Sequence, residues 1–460
     1  CISEDGYYYS GFDKKVHNDN GVPFYTDDWF WDTFRAAHPL RVIMDPAVEQ
    51  DMLSSYIRMA EERDNYWMPT FPVVTGDNHS MNSNHGVATF VDAYNKGLRN
   101  FNLSKAYEAC KTAITEKTLI PWSDAKAGVL DEFYLKNGYF PSLVPGEQET
   151  VEEVNSFERR QPVAVTLGTV YDEWCLSQIA KALDKKEDYQ YFLHRSLNYK
   201  KIFNPATKFF HPKDSRGNFI EPFDYRYSWG VGFRDAYDEN NGWIYRWDLL
   251  HNIADLVSMI GGNQSFIDEL ERMYYTPLGQ NRVHFYSQNA DHVGQFSMAN
   301  EPCLHIPYLY NYAGAPWRTQ KRVRRLLEQW FRNDVMGVPG DEDGGGLSAF
   351  VAFSSLGFYP ITPGLPMYVI GSPVFERSVI KLDNGKTFEI VCKNYAPQNK
   401  YIQSATLNGK VWNKSWFSHE ELEKGGKLEL IMGEYPNKSW ASLPESIPPS
   451  FEMVENRDSL

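Results

Sequence analysis

Three acidic strings hold the residue types that could do chemistry. Gly340-Asp341-Glu342-Asp343-Gly344-Gly345-Gly346 runs into an apolar stretch that starts near Ser348. Carboxylates at a helix N-terminus feel its positive end, which lowers their pKa and suits an ionised general base. The competing reading is a helix cap in a tight glycine turn. A cap needs only one acid, however, and the three glycines leave room for a ligand to approach the backbone. An EF-hand is excluded because no acid stands at its twelfth position. The second string is Tyr237-Asp238-Glu239-Asn240-Asn241-Gly242-Trp243. Aromatic bulk beside Glu239 would raise its pKa and make it a general acid, against the alternative of a surface or capping acid. The third is Asn300-Glu301-Pro302, followed by His305. An amide oxygen and a carboxylate are hard ligands suited to calcium, against the alternative of a capped helix start with an early proline. Two carboxylates from loops on one rim of a helical toroid suggest inverting glycoside hydrolysis, in which one protonates the leaving oxygen and the other activates water opposite. That mechanism needs them roughly 6.5 to 9.5 Å apart.

Weaker candidates surround these. Trp31-Asp32 and Arg35 share a predicted helix, with Asp32 near an apolar face where an acid must be paired or bind something. Asp77-Asn78-His79-Ser80 with Asn82 to His85 either lines a cleft or is turn chemistry. His251 reads as a satisfied core histidine. No HExxH, Walker A, strand-bound GxGxxG or GxSxG occurs, so zinc proteases, nucleotide hydrolases, dinucleotide enzymes and α/β-hydrolases lose their usual signals.

The elements that must position these residues are mostly helices. Helical periodicity runs from residue 28 to 360, and the helices come in pairs. Expected helices are Trp29 to Pro39, capped by Asp27 and Asp28; Pro46 to Arg63; Gly86 to Lys96 with Ser104 to Lys117; and Ala127 to Asn137. Further along come Ala164 to Leu183 with Lys186 to Ile202, Ile244 to Met259 with Gln264 to Tyr275, Glu301 to Tyr312 with Trp317 to Asn333, and Gly345 to Phe358. Connections within most pairs are short and those between pairs long, so residues on the long loops converge at one end. This is the arithmetic of an (α/α)6 toroid. After Pro363 the pattern turns to strands, with hairpin signals at Asp383-Asn384-Gly385 and Asn408-Gly409. The expected organisation is mainly α, with a barrel domain over 1–365 and a small C-terminal β-unit over 366–460.

Composition bounds the partners. With 46 Lys+Arg against 60 Asp+Glu the net charge is −14, the wrong sign for a nucleic-acid binder. Hydrophobic residues at 42% allow a large core, and aromatics at 15% supply the flat faces that line sugar clefts. Cys1, Cys110, Cys175, Cys303 and Cys392 show neither metal spacing nor a disulfide framework. No apolar run is long enough to span a bilayer. The chain carries neither an initiator Met nor a signal peptide, so it reads as a processed form in which Cys1 is an accidental start.

Five strings taken in order resemble glycoside hydrolase family 92. They are Phe30-Trp31-Asp32-Thr33-Phe34-Arg35 with His38-Pro39-Leu40, Asp92 to Gly97, Glu239 to Tyr245, Asn300-Glu301-Pro302, and Gly340 to Phe350 running into Gly357-Phe358-Tyr359-Pro360. The resemblance implies a calcium-dependent, inverting exo-α-mannosidase acting on mannose-containing glycans. It makes Glu239 the general acid, and Asp343 with Asp341 the base that holds the water. It places Asn300 and Glu301 at calcium and mannose, Asp32 in the glycone pocket, and Trp31, Arg35 and Trp243 among the substrate-binding residues. Family members place an N-terminal β-sandwich before the barrel, so that domain is expected as a separate or cleaved chain, and export from a bacterium is expected with it. Phe296, Ser297, Met298 and Ala299 stand where α-1,2-specific members carry a His-Glu pair, so α-1,2, α-1,3 and α-1,6 linkages stay open. The alternatives are another inverting (α/α)6 glycosidase or a phosphorylase, and a non-catalytic glycan-binding protein that uses calcium.

Overall fold

The computed structural model describes residues 3, 5–226, 235–279 and 291–451. The expected loops Phe203 to Gly242 and Thr276 to Asn300 therefore lie partly outside the described residues. Among the described residues the α-helices up to residue 356 are α1 (Phe30–Thr33), α2 (Ala37–Met44), α3 (Pro46–Glu61), α4 (Gly86–Asn95), α5 (Leu103–Thr115), α6 (Val129–Asn137), α7 (Pro162–Ala182), α8 (Lys186–Arg195), α9 (Gly242–Tyr245), α10 (Ile253–Ile260), α11 (Asn263–Tyr275), α12 (Pro316–Trp330) and α13 (Gly346–Leu356). They divide between two compact units. One takes in Cys1–Phe34 and Pro46–Asp248, the other Arg35–Asp45, Leu249–Leu278 and the chain from 291 onward. The boundary expected at residue 365 falls inside the second unit. Among the described residues no helix is long and apolar enough to cross a membrane.

In the first unit α7 is the centre. Eighteen of its 21 residues are buried, and it packs against α4, α5 and α8. A helix enclosed on every side must satisfy its polar residues internally. Glu173 does so against Arg195 Nε at 2.5 Å and the Tyr134 hydroxyl at 3.1 Å, and Asp172 against His85 Nδ1 at 2.7 Å and the Asn84 N–H at 2.6 Å. Burial pushes the Glu173 carboxyl up to about 7. Ile120, Leu130, Tyr134, Phe140 and Val165 form a core beside it.

The second unit joins α2 and α10–α13 to two larger sheets and the short pair His292–Val293 with Phe296–Ser297. Phe358–Tyr359, Met367–Ile370 and Trp416–Ser418 make a three-stranded antiparallel sheet. The other sheet has five strands, in the order Arg377–Lys381, Thr387–Lys393, Gly426–Gly433, Tyr401–Leu407 and Lys410–Val411. Both expected hairpin turns connect strands of this sheet, and its one parallel pair joins Thr387–Lys393 to Gly426–Gly433.

Four expected helices come out differently, among them Lys186 to Ile202, which is α8 as far as Arg195 and then a 3-10 turn over Asn198–Lys201. The first breaks into α1 and α2, because Pro39 has no N–H to give to the Arg35 carbonyl and its ring clashes there. Asp28 does not cap it either; its carboxylate accepts from Thr33 Oγ1 at 2.6 Å and from the Tyr56 hydroxyl. The helix expected over Ile244 to Met259 is two, each started by an asparagine. Asn241 accepts from the Trp243 N–H and Asn252 from the Asp255 N–H. Glu301 to Tyr312 winds as 3-10 turns over Glu301–Cys303 and Ile306–Ala313, each with a proline in its first positions. The hairpin Tyr7–Tyr9 with Val16–Asn18 and the strand Trp416–Ser418 were not expected at all.

Candidate active site

The first unit carries Glu239 on a segment anchored from both ends. The Val163 N–H bonds the Ala236 carbonyl at 2.9 Å, and the Tyr237 hydroxyl donates to the Phe210 carbonyl at 2.9 Å. Asp238 is fully buried, and its Oδ2 accepts from Asn82 Nδ2 at 2.7 Å. Asn82 also donates to Gln161 Oε1 at 3.2 Å. Beyond Glu239, the Gly242 N–H bonds the Tyr225 carbonyl at 3.0 Å, and Trp243 stands edge-on to Phe209. Gly242 cannot be replaced without movement, since a Cβ there would meet the Tyr237 hydroxyl at 2.6 Å. Glu239 is left half-buried between the buried Asp238 and Asn240.

Asn82 belongs to the polar cluster that the sequence left between cleft and turn. Asp77 and His85 act structurally: Asp77 accepts from the Phe71 and Thr70 N–H groups and from Arg63, while His85 pairs with Asp172. His79, Met81 and Ser83 all take left-handed backbone, which crumples the loop. The loop meets α7 at Gly168, where a Cβ would lie 1.9 Å from Ser83 Oγ. Trp31 and Asp32 are buried on α1 in the same unit, and His251 is buried in the other.

The second unit carries the other acids. Glu342 is the cap of α13, its carboxylate accepting from the Gly345 N–H at 2.9 Å and the Ser348 N–H at 3.1 Å. Asp341 and Asp343 are therefore not needed for capping. Asp343 has φ of +53° and is followed by Gly344 and Gly345 at positive φ. Left-handed backbone at a non-glycine residue is strain that clusters at functional sites. The Asp343 side chain meets Glu301, their carboxylate oxygens lying within 4.8 Å, and Glu301 is fully buried. Asn300 precedes a 3-10 turn without capping it through its side chain, so the capped-start alternative fails there.

The expectation of a lowered Asp343 pKa is wrong. Burial raises it, the charges of Asp341 and Glu342 raise it further, and the hydrogen bond with Glu301 only partly offsets them. Arg35, also buried, acts electrostatically on the buried Tyr359 phenol, as does Glu301. Sequence reasoning placed Asn82 only within a polar cluster and assigned no role to Gln161, Asp238 or Tyr359. Tyr359 lay within a family motif, and Asn82 and Asp238 each lay in a polar string, but at 156 positions apart nothing local signalled their pairing.

Calcium fits the donors of this unit. The Asn300 amide oxygen and the carboxylates of Glu301 and Asp343 are hard oxygen ligands. Two acids whose carboxylate oxygens lie within 4.8 Å, one of them fully buried, need a shared proton or a cation.

The chain belongs to glycosyl hydrolase family 92, whose catalytic-domain model matches residues 2–434. It is similar to a family GH92 α-mannosidase from Bacteroides thetaiotaomicron solved in complex with mannoimidazole, at 28% identity and TM-score 0.87 over 98% of this chain and 56% of that one. A second structure, a family GH92 inverting mannosidase of the same organism, is 31% identical with TM-score 0.82 over 97% and 58%. A protein of Arthroderma benhamiae described as an uncharacterized secreted glycosidase is 27% identical over 86% of this chain and 50% of its own length. This chain thus spans about half the length of the relatives it matches.

Proposed function

We propose that this chain is the catalytic portion of an exo-acting, inverting, calcium-dependent α-mannosidase that releases mannose from glycans. The observation that carries the reading is the buried Glu301–Asp343 contact, made by a strained Asp343 that helix capping does not need. In this reading Glu239 protonates the leaving oxygen, its position fixed by the hydrogen bonds to either side of it. Asp343, helped by Asp341, holds the attacking water and takes its proton. Trp31, Asp32, Arg35 and Trp243 bind the mannose. Asn300 and Glu301 would hold calcium, which when bound supplies a hard Lewis acid for sugar hydroxyls. The helical pairs close as an (α/α)6 toroid, and a β-sandwich from the rest of a longer protein completes the aglycone side. Export from a bacterium belongs to the same proposal, supported by the Bacteroides neighbours and the secreted fungal relative.

The test is mannose release from α-1,2-, α-1,3- and α-1,6-mannobiose by the full-length protein, with calcium and then with chelator. Release that chelation stops is expected, and the preferred dimer gives the linkage. Release indifferent to chelator removes calcium from the account. No release from any of the three removes the mannosidase.

A further inference from the structure

Away from the acids discussed above, the first unit holds a second cluster of metal-ligating side chains. The hairpin Tyr7–Tyr9 with Val16–Asn18 pairs Tyr8 directly opposite His17, whose rings stack at 5.4 Å. The hairpin loop turns Asp13 back, so that its carboxylate lies 2.9 and 3.1 Å from His17 Nε2. Glu62, just past the end of α3, reaches the same place. Its Oε1 accepts from the Tyr8 hydroxyl at 2.5 Å, while its Oε2 is shielded from solvent and has no hydrogen-bond partner. One donor atom from each of Asp13, His17 and Glu62 lies within 4.8 Å of the other two.

An Asp13–His17 ion pair explains two of these residues but not the third. A carboxylate oxygen shielded from solvent without a donor is costly, and Arg58, one turn back on α3 and over the Tyr8 ring, gives its Nη2 bonds to the Pro23 carbonyl and Ser55 Oγ instead. A cation between the three would supply the missing partner. An imidazole nitrogen among the donors disfavours calcium and magnesium and favours a borderline first-row ion, zinc above all. Tetrahedral zinc with bonds near 2.0–2.1 Å needs donors about 3.3 Å apart, so His17 and Asp13 are nearly in place and Glu62, within 4.8 Å of both, has at most about 1.5 Å to close. The Tyr8 hydroxyl on Glu62 Oε1 is the kind of outer-shell bond that orients a ligating carboxylate.

We propose that Asp13, His17 and Glu62 form a zinc-class divalent metal site that fastens the N-terminal hairpin to the end of α3, with water completing the shell. The role is structural, since none of the three is a residue to which the proposed hydrolysis assigns a part.

The experiment is calorimetric titration of the full-length protein with Zn2+ in excess calcium, alongside His17→Gln, Glu62→Gln and Glu301→Gln. We expect one zinc per chain with a dissociation constant of about 1 μM or tighter, weakened about tenfold or more by His17→Gln and by Glu62→Gln and untouched by Glu301→Gln. Zinc should raise the melting temperature of the parent protein and not of the first two variants. Co2+ in its place should show tetrahedral absorption bands that His17→Gln abolishes. Weaker binding, binding that survives either hairpin-side variant, or binding lost in Glu301→Gln would each overturn the site. His17 lies partly exposed on an edge hairpin, so metal-free variants with unchanged melting temperatures show that the fold is retained.

Discussion

The segment around Glu239 and the segment around Asp343 solve opposite problems. Among the described residues, the bonds on either side of the first go to a carbonyl of Phe210, an amide of Asn82, a carbonyl of Tyr225 and the edge of Phe209, none of which titrates near neutrality. The second is held by glycines at positive φ, with one acid assigned to the helix end and another pressed against a buried carboxylate. A general acid must be placed without being ionised by its neighbours, whereas a base beside a metal site can be crowded with negative charge if a cation neutralises it. The contrast supports the division of labour between them.

The largest effect should come from the crowded side. Asp343→Asn should lower turnover by about 10³-fold or more on every mannoside, whatever the leaving group, because the water has lost its base. Activity retained on an aryl mannoside would move the base elsewhere. Next is Glu239→Gln, which should cost about 10²–10⁴-fold on natural mannosides and less than about tenfold on substrates with a good leaving group. Equal loss on both sinks the acid assignment.

Asp77 tests the scaffold under the Asn82 loop. Although burial opposes it, hydrogen bonding to His79 and the charges of Lys117, His79 and Arg63 hold its carboxyl well below the usual range. A depressed folded pKa contributes stability above the unfolded value and loses it as the pH falls through the acid range. Asp77→Ala should therefore cost about 3–5 kcal/mol at pH 7 in denaturant melts, with the difference from the parent shrinking toward low pH. Asn82→Ala, which removes the bond from Asn82 to Asp238, should lower kcat on natural mannosides about tenfold with KM unchanged. A change in KM alone would make Asn82 a substrate contact instead. Smallest is Glu342→Ala, expected to cost about 1 kcal/mol of stability as a lost cap. A loss of activity as large as that of Asp343→Asn would reassign the two acids.

What could be read from the sequence followed local chemistry. Asp45-Pro46 marked the start of α3, the glycines before Ser348 marked α13, and the asparagine-glycine pairs marked the hairpins of the five-stranded sheet. The acids of the candidate site stood in strings that carry the family resemblance. What stayed hidden depended on distant partners or on competition within a string. Pro39 broke a helix that periodicity alone would continue, and prolines 302 and 307 fell in turns too tight for an α-helix. Which of Asp341, Glu342 and Asp343 caps α13 is decided by side-chain reach that no spacing rule encodes. The raised Asp343 pKa followed from burial, which composition cannot supply.

The most direct test of the two-carboxylate account is the anomeric configuration of the first mannose released, followed by proton NMR before mutarotation blurs it. Direct attack by water activated at Asp343 predicts β-mannose from an α-mannoside. α-Mannose appearing first would mean retention through a covalent intermediate, and would contradict the assignment of Asp343 as a base.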